Sequence, residues 1–93
     1  MTIFVKDPAA LIDYAIDWSA GYLGAVAITA SEWRVDPAGD GTIIVMVDRI
    51  DSGRTVATVA GGSAGCLYHI TNKVIFSDGR CDGRMLVVRV EAR

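Results

Sequence analysis

From Cys66 to Phe76 the chain reads Cys-Leu-Tyr-His-Ile-Thr-Asn-Lys-Val-Ile-Phe, and its side chains fall into two sets when every second residue is taken together. Tyr68, Ile70, Val74 and Phe76, with Cys66 and Asn72, make one set; His69, Thr71, Lys73 and Ser77 make a polar one. Successive strand residues point to opposite faces, so this pattern predicts one long strand with its apolar set against a core. Ser77-Asp78-Gly79-Arg80 ends it. Met85 to Glu91 repeats the alternation, with Leu86, Val88 and Val90 on one face and Arg89 and Glu91 on the other. The two runs are expected to pair as a hairpin, connected through Ser77 to Arg84.

Upstream, Thr2 to Lys6 is either a short strand or an arm, closed by the Asp7-Pro8 break. Between Ala9 and Trp18, Ile12, Tyr14, Ile16 and Trp18 alternate against Asp13, Ala15 and Asp17. A helix would set Asp13 and Asp17 side by side at i,i+4, so a strand is the better reading. Ser19 to Gly24, with two glycines, is expected to form a loop or a single helical turn. Ala25 to Val35 reads as a second long strand. Neither alternation set in it is cleanly apolar, and a bulge near Ala30-Ser31 would carry the inward face from Ile28 to Trp33. Asp36 to Gly41 is a turn, Thr42 to Val47 a strand, and Asp48 to Arg54 a polar connection with its tip at Ser52-Gly53. Thr55 to Val59 resumes the strand pattern, and Ala60 to Gly65 leads into the long strand. Six or seven short strands without a helix indicate an all-β fold, an immunoglobulin-like antiparallel β sandwich, with a small β barrel as the alternative. Tyr14, Trp18, Trp33 and Tyr68 are the large residues for its core, each burial contributing about 2 to 3 kcal/mol.

Length and charge narrow this picture. A chain of 93 residues builds one core, so residues 1–93 are read as one domain, with residues 1–8 a short arm or edge strand. The hydrophobic share is 52%, yet no run reaches the about 18 apolar residues of a membrane span. Lys6-Asp7-Pro8 interrupts the only candidate for a signal peptide. A net charge of -2, from 9 basic and 11 acidic residues, offers no footprint for nucleic acid or an anionic membrane, which leaves proteins as the expected partners. Cys66 and Cys81 flank the long strand, too far apart for the about 7 Å limit on disulfide α-carbons. Both are read as reduced thiols, Cys66 as a small core residue.

No catalytic constellation is visible. His69, the sole histidine, would have to serve any Ser-His-Asp or Cys-His arrangement, yet it sits on the polar face of the strand. With Cys66 and Cys81 it falls short of a closed zinc site. Gly61-Gly62-Ser63-Ala64-Gly65 lacks the Gly-Lys-Ser/Thr ending and the following helix of a phosphate loop. Asp36, Asp40, Asp48 and Asp51 match no EF-hand spacing. Asp78-Gly79-Arg80 and Asp82-Gly83-Arg84 serve a hairpin connection before a ligand. No catalytic residue, metal ligand or cofactor is assigned, and the chain is not expected to be an enzyme. What remains is an apolar set, Leu67, Ile75, Met85 and Val87, on the strand faces opposite the core and set among His69, Lys73, Arg89 and Glu91. An apolar centre with a charged rim is the anatomy of a partner-binding surface.

Three stretches together resemble a family of small tailed-phage virion proteins, the phage fiber-tail adaptor proteins. Lys6-Asp7-Pro8-Ala9-Ala10-Leu11-Ile12-Asp13-Tyr14-Ala15-Ile16-Asp17-Trp18-Ser19 is similar to the family's opening motif of Lys-Asp-Pro, an aliphatic pair, Asp-Tyr and Asp-Trp. Ile28 to Val35 with Trp33 is the second. Gly61 to Asn72, followed by Ser77-Asp78-Gly79-Arg80 and the Arg84 to Arg93 strand, is the third. The resemblance implies a non-enzymatic structural protein of a tailed bacteriophage, made in the host cytoplasm and carried in the tail or neck of the virion. It would connect tail or neck components to fibres, in multiple copies within a symmetric assembly. An adhesion or carbohydrate-binding module of immunoglobulin-like type is the alternative, and it requires exposed aromatic side chains.

Overall fold

The computed structural model of the chain describes residues 3–18, 27–37, 39, 41–51 and 53–92. Among them are seven strands and no helix: β1 Ile3–Lys6, β2 Ile12–Asp17, β3 Ile28–Asp36, β4 Ile43–Asp51, β5 Arg54–Gly61, β6 Leu67–Phe76 and β7 Cys81–Val90. They form two sheets, one of order β1-β7-β6-β3 and one of order β2-β5-β4. Every pairing is antiparallel except that of β1 with β7, which is parallel. The all-β, two-sheet reading of the sequence therefore holds. The loop expected over Ser19 to Gly24 lies outside the described residues.

The alternation in β6 does what it predicts. Tyr68, Ile70, Asn72, Val74 and Phe76 are buried and the residues between them are not. Tyr14, Ile16, Ile43, Ala57 and Val59 come from the three-stranded sheet to meet them, so the core lies between the sheets. Trp18 is 1% exposed, and Trp33 is half-buried, packed against both ends of the core. The polar Asn72 is tolerated there because its amide is fully bonded. Its Nδ2 donates to Ser31 Oγ at 2.9 Å and to Glu32 O at 3.0 Å, and its Oδ1 accepts from Thr55 Oγ1 and Trp18 Nε1.

Several boundaries differ from the sequence reading. The β6–β7 connection is Ser77 to Arg80 rather than Ser77 to Arg84, because Cys81 already pairs with Ile75. Asp78 closes this turn: its carboxylate accepts from the Arg80 backbone N–H at 3.1 Å and from Arg80 Nε at 2.6 Å, and these bonds hold its pKa below the ordinary value. The second Asp-Gly-Arg lies inside β7. The bulge of β3 falls between Ile28 and Ala30, one step before the expected place, and leaves Ile28, Ser31, Trp33 and Val35 half-buried on one face. β4 continues through the polar residues to Asp51, since Gly53 at φ 88° allows a two-residue turn closed by Asp51 and Arg54.

Cys66 is not a core residue. It is exposed, in the turn ahead of β6, where its N–H donates to Ser63 O at 3.1 Å. Strand parity does not extend past the end of the ladder, and this explains the difference. Cys81 is exposed at the other end of the hairpin, and both thiols are free.

Candidate functional site

The partner-binding residues expected from sequence lie on the outer face of the four-stranded sheet, opposite the core. Leu67, Ile75 and Met85 are 47%, 46% and 41% exposed. Val87 differs, at 3% exposure. It pairs with His69 of β6 on one side and with Ile3 of β1 on the other, so β7 is an interior strand and Val87 is walled in by its neighbours. The sequence placed Val87 on the right face, but carried no sign that a parallel strand would cover it. Ile3, 49% exposed, stands beside it instead and joins the apolar surface.

The strand ladder sets the spacing. Leu67 pairs with Arg89, Thr71 with Met85 and Ile75 with Cys81, so the three exposed apolar residues are distributed along the hairpin. Eight residues separate Leu67 from Ile75, a rise of about 26 Å. They are brought onto one face, but not into one contiguous patch.

At the Ile75 end the face is concave. A groove of about 500 Å³ runs across three strands, with Ala30 and Glu32 from β3, Lys73 and Ile75 from β6, and Cys81 and Gly83 from β7. Its floor is low because Gly83 offers no side chain: a Cβ there would meet Asn72 O at 3.5 Å and Lys73 Cγ at 3.6 Å, ordinary contacts with space beyond. Charges of both signs form its margin. Glu32 is paired with Arg34 at 3.1 Å and stands opposite Lys73 in the ladder, while Lys73 itself makes no ion pair among the described residues. Small and aliphatic residues within a mixed-charge margin suit a protein surface that is dry at its centre and wet at its edge.

His69 is exposed on this face. Among the described residues, no three His, Cys, Asp or Glu side chains lie close enough to hold a metal ion. Buried polar atoms without a partner are Tyr14 Oη and Trp33 Nε1. Burial raises the Tyr14 pKa, and its ring is tilted against Phe4 at 5.3 Å.

Two features were missed in the sequence. Lys6 is fully buried, its Nζ donating to Gly61 O at 2.7 Å and Asp7 O at 2.9 Å, so it ties β1 to the opposite sheet. A lysine beside Asp-Pro carries no local signal of burial. The second is the exposed aliphatic run of β4, whose position at a sheet edge depends on strand order and cannot be read from the run itself.

Comparison with known proteins bears on what such a surface is for. A search of the curated proteins gives no match. The family model described as podophage GP4 fiber-tail adaptor protein gp77 matches residues 6–89, nearly the whole chain, including the first two stretches quoted above and the third as far as Arg89. The chain belongs to this family of phage fiber-tail adaptor proteins, structural components of the virion.

Proposed function

We propose that the protein acts in the tail or neck region of the particle by docking the outer face of its four-stranded sheet, through Leu67, Ile75 and Met85, onto another virion chain of the tail, neck or fibre. The observation that carries this reading is the groove at Ile75, apolar at its floor and charged at its margin, on a sheet face with no covering element among the described residues. Repetition of that contact around the tail axis gives multiple copies in a symmetric assembly.

The scaffold for this surface is an immunoglobulin-like sandwich in our reading. Taking β2, β5 and β4 as strands B, E and D, and β3, β6 and β7 as C, F and G, reproduces the two sheets of such a domain, with β1 beside G. Tyr68 near the start of β6 supports it, since its hydroxyl accepts from Ser63 N at 2.9 Å, as the conserved corner tyrosine of that fold bonds upstream backbone. Trp33 sits on the strand that carries the core tryptophan. In place of a disulfide between sheets, Trp18, Thr55 and Asn72 form a hydrogen-bonded bridge.

The carbohydrate-binding alternative loses the residues it needs most: Trp18 and Tyr68 are buried and Trp33 is half-buried, so neither indole presents a fully exposed face to a sugar ring. The chain has two lysines, of which Lys6 is buried and Lys73 lies at the groove. Cross-links mapped to Lys73, in intact particles treated with an amine-reactive reagent, therefore report on this face. The reading expects Lys73 to join a tail, neck or fibre chain, and to be acetylated more slowly in the particle than in the free protein. Equal acetylation in both states contradicts it.

A further inference from the structure

The three-stranded sheet ends on β4, whose backbone among the described residues pairs with β5 alone. Ile44, Met46, Val47 and Ile50 along it are each between 43% and 58% exposed. The register shift between Val45 and Val47 leaves Met46 unpaired, so Met46 and Val47 both stand in solvent, where regular alternation would bury one of them. The other sheet edges are guarded. β1 has four residues, β2 has six and carries Asp13 and Asp17, and β3 bears the Glu32–Arg34 ion pair. Short length and charge are the usual protections of a sheet edge. β4 has nine residues, and its charges, Asp48, Arg49 and Asp51, all fall in its last four, which leaves Ile43 to Val47 as an uninterrupted aliphatic run with no charge on it.

We propose that β4 is a docking edge that accepts, as a fourth strand, an extended segment of another virion chain, with aliphatic residues meeting Ile44 and Val47, an acidic residue meeting Arg49 and a basic residue meeting Asp48. This rests on the adaptor reading and adds a second contact surface, on the sheet opposite the groove. Two observations select this occupant over a second copy of the chain. Asp48 and Arg49 make no ion pair among the described residues. In a two-fold antiparallel pair of β4 strands, an axis at Asp48 or Arg49 sets like charges directly opposite, and an axis within Ile43 to Val47 sets neither of them opposite a complementary charge, so a second copy leaves both unmatched. Area argues the same way. At about 3.3 Å per residue the edge is about 30 Å long and about 10 Å deep, so a contact between two β4 edges covers about 600 Å² in total, half of the about 1,200 Å² at the lower end of stable interfaces. A segment whose chain is also held elsewhere in the particle needs less, because its strand addition is effectively intramolecular.

Hydrogen exchange on residues 43–51, in the free protein and in intact particles, tests this. The β4 amides directed away from β5 exchange within seconds in the free protein and are slowed at least 100-fold in the particle. Val47→Lys keeps the melting temperature of the free protein and loses that protection. Val47→Cys carrying a benzophenone label, in a Cys66→Ser/Cys81→Ser background, photo-cross-links to a different virion chain. Equal exchange in the two states, with the protein present in the particle, overturns the docking edge and leaves the adaptor reading standing. A cross-link between two copies overturns the choice of occupant. Absence of the protein from purified particles overturns both.

Discussion

The indole Nε1 of Trp18 donates to Asn72 Oδ1, 3.2 Å away, across the gap between the two sheets. The same indole reaches Thr55 Oγ1 at 3.0 Å, and Thr55 in turn donates to Asn72, so three buried polar groups satisfy one another. Arg84 closes the outside, its guanidinium 4.7 Å from the Trp18 ring centroid. Removing the amide leaves the Thr55 hydroxyl without its acceptor and Ser31 Oγ and Glu32 O without their donor, while Trp18 Nε1 keeps Thr55 Oγ1. Asn72→Leu is expected to cost about 2 to 4 kcal/mol, more than Thr55→Val at about 1 to 2, because only the first change leaves partners without any alternative. Urea unfolding of both variants checks the order, and equal small losses would contradict the bridge.

Tyr68 and Gly62 make a second test of the scaffold. Gly62 has φ 100°, and a Cβ there would lie 2.7 Å from Val90 Cγ2 and 3.1 Å from Ile43 Cγ1. Gly62→Ala is therefore expected to cost about 2 to 4 kcal/mol, from left-handed backbone strain and overpacking together. Tyr68→Phe removes only the hydroxyl held by Ser63 and should cost about 1 to 2 kcal/mol, whereas Tyr68→Ala opens a cavity worth about 3 to 5. Thermal melts of the three variants should rank Tyr68→Phe as the mildest.

Lys6 makes stability depend on pH in the alkaline range. Burial lowers its pKa from 10.5, and the Asp7 charge offsets part of this. Below the folded-state pKa the ammonium is charged in both states and the whole cost of burying it is present. Between that value and 10.5 the unfolded chain binds more protons than the folded one, so stability rises with pH. The stability of the natural protein relative to Lys6→Met should accordingly increase as pH climbs through this window and level off above it. A flat difference, measured by denaturant unfolding at several pH values, would contradict the buried ammonium.

Much of this architecture is legible in the alternation of single strands. Tyr68, Ile70, Val74 and Phe76 announce their burial, as do Tyr14, Ile16 and Trp18, because period-two patterning reports the inward face directly. What depends on neighbours is not legible. Val87 is buried only because β1 lies parallel beside β7, and Ile44 and Val47 are exposed only because β4 is last in its sheet. Both facts belong to strand order. Lys6 misleads for a different reason: its ammonium is satisfied by two backbone carbonyls, which have no residue signature. Of the candidate docking residues, Leu67, Ile75 and Met85 were readable. The groove beside Ile75 was not, since it arises where small residues of β3 and β7 flank β6.

On the function proposed above, the outer face of the four-stranded sheet docks the protein into the virion. Ile75 and Met85 are both more than two-fifths exposed, so lysines there burden the isolated fold little; surface changes usually stay within about 0.5 kcal/mol. The direct measurement is the amount of an Ile75→Lys/Met85→Lys double variant incorporated into assembled particles, alongside its melting temperature as a free protein. The account predicts a melting temperature close to that of the natural chain and loss of the variant from particles. Incorporation at the natural level would contradict it.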